Sequence, residues 1–131
     1  MSTLCTRLKN VDEAGIYQLN CSVEELCVAA EEAEFVIFET DLARVHGKGE
    51  FLAAIAQAVR APDWFGANWD ALADALGDFS WRPAAGYVLL LRNCDEACGF
   101  SAAEHETVME IFTGTVAFWK TQGKPFWVFF A

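Results

Sequence analysis

Asp70 and Asp74 lie four residues apart in the run Asn68-Trp69-Asp70-Ala71-Leu72-Ala73-Asp74-Ala75-Leu76-Gly77. On a helix that spacing makes the two carboxylates surface neighbours, a like-charge pair that costs about 0.2–0.5 kcal/mol. Asp63 and Asp78 flank them and no base intervenes between Arg60 and Arg82, so the local field is negative. Asp70, in the first turn, complements the positive end of the helix and needs no ligand to explain it. Asp74, one turn on, has no such use. The pair is either a solvated helix face or a surface that meets a basic partner. Trp64 and Phe65 precede it on a turn, with Gly66 allowing close backbone approach, a composition of the kind found in recognition surfaces anchored by aromatics. Core packing is the competing claim on either ring.

Other chemistries are poorly supplied. A thiolate nucleophile would have to combine Cys94 or Cys98 with His105 or His46 as base. Cys94 and Cys98 with His105 fall short of the four ligands of a structural zinc site, and Cys21 and Cys27 are distant in sequence. His46-Gly47-Lys48-Gly49 has neither the Walker spacing nor the dinucleotide fingerprint and reads as a helix-entry turn. Five cysteines, an odd number without a CxxC pair, are read as free thiols in a reducing compartment. We expect no enzyme, no cofactor and no metal.

Net charge points the same way. At -10, with an isoelectric point near 4.5, the chain has no clustered Lys and Arg for phosphate contacts, so nucleic acid is not the expected direct ligand and a basic protein is. No apolar run approaches the ~18 residues of a membrane span, and residues 1–10 do not resemble a signal peptide. A soluble, cytoplasmic protein is the expectation.

The elements that must hold these residues follow from periodicity. Gly15 to Leu19 reads as a short strand, and Ser22-Val23-Glu24-Glu25 has capping-box spacing for a helix reaching about Ala33. Phe35-Val36-Ile37-Phe38 is a continuous apolar run, predicted to be a central strand covered on both faces. Phe51, Leu52, Ile55 and Val59 recur at helical spacing until Ala61-Pro62. Asn68 is placed to cap a short helix whose Trp69, Leu72 and Leu76 share one face and which stops at Gly77. Tyr87 to Leu91 is a second buried strand. Ser101-Ala102-Ala103-Glu104 opens a long helix through Val108, Ile111, Phe112, Val116 and Trp119, and Phe126 to Phe130 is the last strand. Strands alternating with helices predict an α/β fold with a small parallel sheet. An extra strand-helix unit, residues 1–33, precedes a denser body, 34–131, and is expected to pad an edge of the same domain without serving recognition.

Pro62-Asp63-Trp64-Phe65-Gly66-Ala67-Asn68-Trp69-Asp70-Ala71-Leu72 resembles the signature of the barstar family, intracellular inhibitors of barnase-type ribonucleases. The resemblance runs in order from the strand at Phe35 to the one at Phe130, about three quarters of the chain. It implies a three-stranded parallel sheet packed with helices, and partner-contact roles for Trp64, Gly66, Asn68, Asp70 and Asp74, with Asp74 matching the family's chief acidic contact. It also implies a mechanism without chemistry, in which a carboxylate occupies the place of an RNA phosphate in a basic cleft. Two positions depart from the pattern. Ala73 stands where the family has an aromatic, and no acid is evident near Gly114 on the later long helix. An immunity or adaptor protein of the same fold with a partner other than a ribonuclease is the alternative.

Overall fold

The computed structural model describes residues 7–61, 68–93 and 100–131. Strands β1 (Ile16–Gln18), β2 (Val36–Asp41), β3 (Tyr87–Arg92) and β4 (Phe126–Phe130) form one sheet in the order β1-β4-β3-β2, with every neighbouring pair parallel. Parallel neighbours cannot be joined by tight turns, so the intervening chain folds into crossover helices. These are α1 (Val23–Glu32), α2 (Lys48–Val59), α3 (Trp69–Leu76) and α4 (Ala102–Thr121). The α/β architecture is the one expected from the alternating sequence pattern.

The apolar spacing sets which face each element buries. In α2, Phe51, Leu52, Ile55 and Val59 are all buried, and in α4 so are Val108, Phe112, Val116 and Trp119, with Ile111 half-buried. Side-chain caps mark the starts of α1, α3 and α4, whereas α2 begins after Gly47 without one. Ser101 and Glu104 form the full reciprocal box, the Ser101 Oγ accepting from the Glu104 amide at 3.1 Å and the Glu104 carboxylate accepting from the Ser101 amide at 2.9 Å. At Ser22 only the serine half forms, accepting from the Glu25 amide at 3.0 Å.

One expectation is corrected. Strand β2 is an edge strand, not a central one. Val36 and Ile37 are half-buried and only Phe38 is buried. Helices α1 and α2 both pack against β2, and that accounts for its apolar run. Such a run records what covers the two faces of a strand, not how many strands lie beside it. The fully buried strands are β3, from Tyr87 to Leu91, and β4, from Phe126 to Phe129.

The sheet also has four strands where the resemblance implied three, because β1 adds to the free side of β4. The pairing is reinforced by Val128 N–H donating to Gly15 O at 2.9 Å and Leu19 N–H to Phe130 O at 2.8 Å. Leu8, Leu26, Ala29 and Ala30 are buried in the same apolar cluster as β3, β4 and the later helices. The Trp127 indole donates to Leu8 O at 3.0 Å in a buried position. The front unit thus adds a strand to the sheet edge and contributes side chains to the core.

Candidate functional site

The acidic helix is positioned by its own sequence. Asn68 is extended (φ -144, ψ 166) and its Oδ1 accepts from the Ala71 amide at 2.7 Å, satisfying one of the donors left open at a helix start. That side-chain oxygen is therefore committed to the cap. Leu72, Ala75 and Leu76 are buried beneath α3. Trp69 is half-buried, its ring 6.4 Å from that of Phe51 and 6.0 Å from that of Phe100, with the Lys48 ammonium 5.5 Å from its centroid. The far end is clamped by the Trp119 indole, which donates to Leu76 O at 2.8 Å.

With that face packed, the opposite face presents Asp70, Ala73 and Asp74, all exposed. The structure brings Asp70 and Asp74 together on one helical surface, as their spacing predicts. The two ion pairs among the described residues, Arg7–Glu13 at 3.7 Å and Arg92–Glu39 at 2.9 Å, involve neither carboxylate. Trp64 and Gly66 lie outside the described residues, as do Cys5, Cys94 and Cys98.

Beside Asp74 runs a groove of about 490 Å³ between α3 and α4. One wall carries Ala73, Asp74 and Gly77, the other Glu110, Gly114 and Phe118, with Ile111 and Thr115 between them. Sequence reading found no acid near Gly114. Glu110, one turn earlier on α4, lines the same groove as Asp74. The signal available was its i, i+4 spacing from Gly114, but only the packing of α4 against α3 gives that spacing meaning. Phe118 is 43 % exposed, an unusual fraction for a large apolar ring on a helix whose other aromatics are buried. A glycine inside a helix costs about 0.8–1.0 kcal/mol relative to alanine. At Gly114 packing does not demand one, since a Cβ there would meet nothing within 4 Å.

The described thiols are poor nucleophiles. Burial, then the nearby Glu25, pushes the Cys21 thiol above its ordinary value; burial, then Glu39 and Glu24, does the same to Cys27. Both are free and half-buried. His46 and His105 are exposed, and among the described residues no three His, Cys, Asp or Glu side chains are grouped to hold a metal. No helix among them is long and apolar enough to cross a membrane.

Compared with known proteins, residues 35–131 match the family model described as barstar (barnase inhibitor). No curated protein matches the chain.

Proposed function

The chain belongs to the barstar family, and from that premise we propose that it is a protein inhibitor that binds and occludes the active site of a barnase-like ribonuclease. The observation that carries this reading is the pair of exposed carboxylates, Asp70 and Asp74, held on one face of a short capped helix and without ion-pair partners among the described residues. A ribonuclease cleft must gather Arg, Lys or His to hold RNA phosphate. A rigid carboxylate face satisfies the same donors and keeps substrate out without reacting. Trp64, Gly66 and Asn68 complete the contact surface by family resemblance, with Asn68 acting through groups other than its capping oxygen. In this reading the protein turns over no substrate, works in the cytoplasm beside its target, and uses no cofactor.

The test is to measure binding and inhibition of barnase-type ribonucleases by wild type, Asp74→Ala and Asp70→Ala. Truncating a desolvated carboxylate leaves the partner's cations buried and unpaired, a penalty of about 2–5 kcal/mol expressed mainly in faster dissociation. The barnase–barstar complex is itself among the systems that span that range. Asp74→Ala is expected to fold normally and to lose most binding, and Asp70→Ala to lose less. Undiminished affinity of Asp74→Ala for a ribonuclease that wild type binds rejects the surface.

A second reading, an immunity or adaptor protein with a different partner, is favoured by one feature. The groove lined by Ala73 and Gly114 stands where the family pattern implies an aromatic and an acid. Failure of wild type to bind any ribonuclease, alongside capture of another basic protein that Asp74→Ala releases, would select it.

A further inference from the structure

Strand β2 leaves one side of its backbone unused. It runs parallel to β3, with Val36 N–H donating to Gly86 O at 3.1 Å and, just past the strand, Leu42 N–H donating to Arg92 O at 2.8 Å. Backbone groups alternate sides along a strand, so Val36, Phe38 and Thr40 bond to β3, while Ile37, Glu39 and Asp41 turn their N–H and C=O groups to the open edge. Among the described residues none bonds to the backbone of Ile37 or Glu39 on that side. This edge is one wall of a cleft of about 400 Å³, whose other walls are the end of α2 at Arg60 and the Trp81-Arg82 segment ahead of β3. The Trp81 indole donates to Val59 O at 3.0 Å and so ties those two walls together on the α2 side of the sheet. Two guanidinium groups therefore line one cleft of a chain whose net charge is -10. Both arginines are exposed, and neither belongs to an ion pair among the described residues. The carboxylate that shares the lining, Glu39, is held by Arg92 at 2.9 Å. Arg60 complements the negative end of α2, but its left-handed backbone (φ 54, ψ 50) is one that glycine adopts with less strain, and no helix end accounts for Arg82.

We propose that the open edge of β2 is a second binding site, which receives an extended acidic segment of a partner protein as an added strand. The segment's backbone pairs with Ile37 and Glu39, and two of its carboxylates reach Arg60 and Arg82. In strand addition the main-chain bonds supply affinity and the alternate side chains supply selectivity. Carboxylates two residues apart fit, because a strand presents them on one face and both arginine-bearing segments are tied together on one side of the sheet. A nucleic acid would offer phosphates to the arginines but no alternating N–H and C=O groups to the strand edge. A second copy of the chain fits less well, since its matching edge brings a Glu39 already held by Arg92. The cleft shares no lining residue with the groove beside Asp74, so the site stands apart from the acidic helix and does not depend on the inhibitor reading.

The experiment titrates the isotopically labelled full chain with acetyl-Thr-Glu-Thr-Glu-Thr-amide, beside the same peptide with glutamine in place of glutamate. The glutamate peptide is expected to give saturable amide shifts centred on Ile37, Glu39, Arg60 and Arg82. Hydrogen exchange should slow at the amides of Ile37 and Glu39, which face the edge, and change little at Val36 and Phe38, which already bond to β3. Arg60→Gly, which suits the left-handed backbone, and Arg82→Gln should both fold, and each should weaken the peptide by about two- to fivefold, as exposed charge pairs do. The double variant should no longer distinguish glutamate from glutamine. N-methylation of the peptide amides on the pairing side should abolish binding, and N-methylation of those on the other side should spare it. No saturable shift, equal affinity of wild type for the two peptides, or indifference to which side is methylated overturns the proposal. Tighter binding of oligouridylate at Arg60 and Arg82 overturns it in favour of nucleic acid. Sedimentation in which wild type self-associates and the double variant does not would give the edge to a second copy and overturn it as well.

Discussion

Replacing Leu26 with alanine asks whether the front unit is structural core or detachable padding. Leu26 has no exposed surface, and Ala29 and Ala30, its neighbours on the buried face of α1, are equally enclosed. Leu→Ala changes at buried sites cost about 2–5 kcal/mol, the larger values arising where surrounding groups cannot collapse into the cavity. Two alanines next in line have no side chain to swing into the gap, so we expect about 3–5 kcal/mol. Against a total stability of about 5–15 kcal/mol that is a large fraction. Melting should fall by about 10 °C or more. The control is Val28→Ala on the same helix, 50 % exposed, for which the expected change is within about 0.5 kcal/mol. Urea unfolding followed by tryptophan fluorescence is the assay, because all five tryptophans lie beyond residue 33 and report on the body of the domain. If Leu26→Ala shifts that transition no more than Val28→Ala does, or if helix content is lost in a separate earlier transition, then α1 is an independent appendage and the shared core is refuted.

Three further outcomes are expected. Trp119→Phe should cost about 1–3 kcal/mol, the penalty for leaving the buried Leu76 carbonyl without its 2.8 Å indole donor, read in thermal melts. The amide of Asn93, then the backbone of Ala43, donates to the Asp41 carboxylate and holds its pKa below the ordinary value. That stabilisation is present above the ordinary carboxylate pKa and is lost as pH falls through the depressed value, so Asp41→Asn should flatten the acid side of a stability-against-pH curve. Association with the partner should slow steeply as salt rises, because unpaired exposed carboxylates accelerate encounter by long-range attraction; a stopped-flow rate unchanged by salt contradicts this.

What could be read from the sequence was whatever depends on near neighbours. Asn68, Ser101 and Glu104 announce helix starts because a cap acts over three residues, and Leu72 with Leu76 announces the buried side of α3 because one turn is four residues. Asp70 and Asp74 could be joined for the same reason. Strand neighbours are not local, and the apolar run of β2 reflects the two helices packed against it, not a central place in the sheet. Glu110 was overlooked because it acquires its relation to Asp74 only when Trp119 draws α4 against the end of α3. Trp69 shares the face of Leu72 and Leu76, as its spacing predicts, but the half-buried ring owes its setting to Phe51 and Phe100 from elements far away in the chain.

The order β1-β4-β3-β2 imposes a sequence of events on folding. Strands β2, β3 and β4 are neighbours both in the chain and in the sheet, so each can dock as soon as it and its crossover helix exist. Strand β1 cannot, for its register sets Ile16 beside Val128, more than a hundred residues later. The entropic handicap is modest, since loop closure grows only by about 0.6 kcal/mol per doubling of length. The kinetic one is firmer, because no surface for β1 exists until β4 is in place. During synthesis the first strand made is therefore the last to be seated, and until then the outer edge of β4, with its run of Phe126, Trp127, Val128, Phe129 and Phe130, is an unpaired apolar template. The front unit acts as an intramolecular guard for that edge, closing the sheet against other chains at the moment it becomes dangerous.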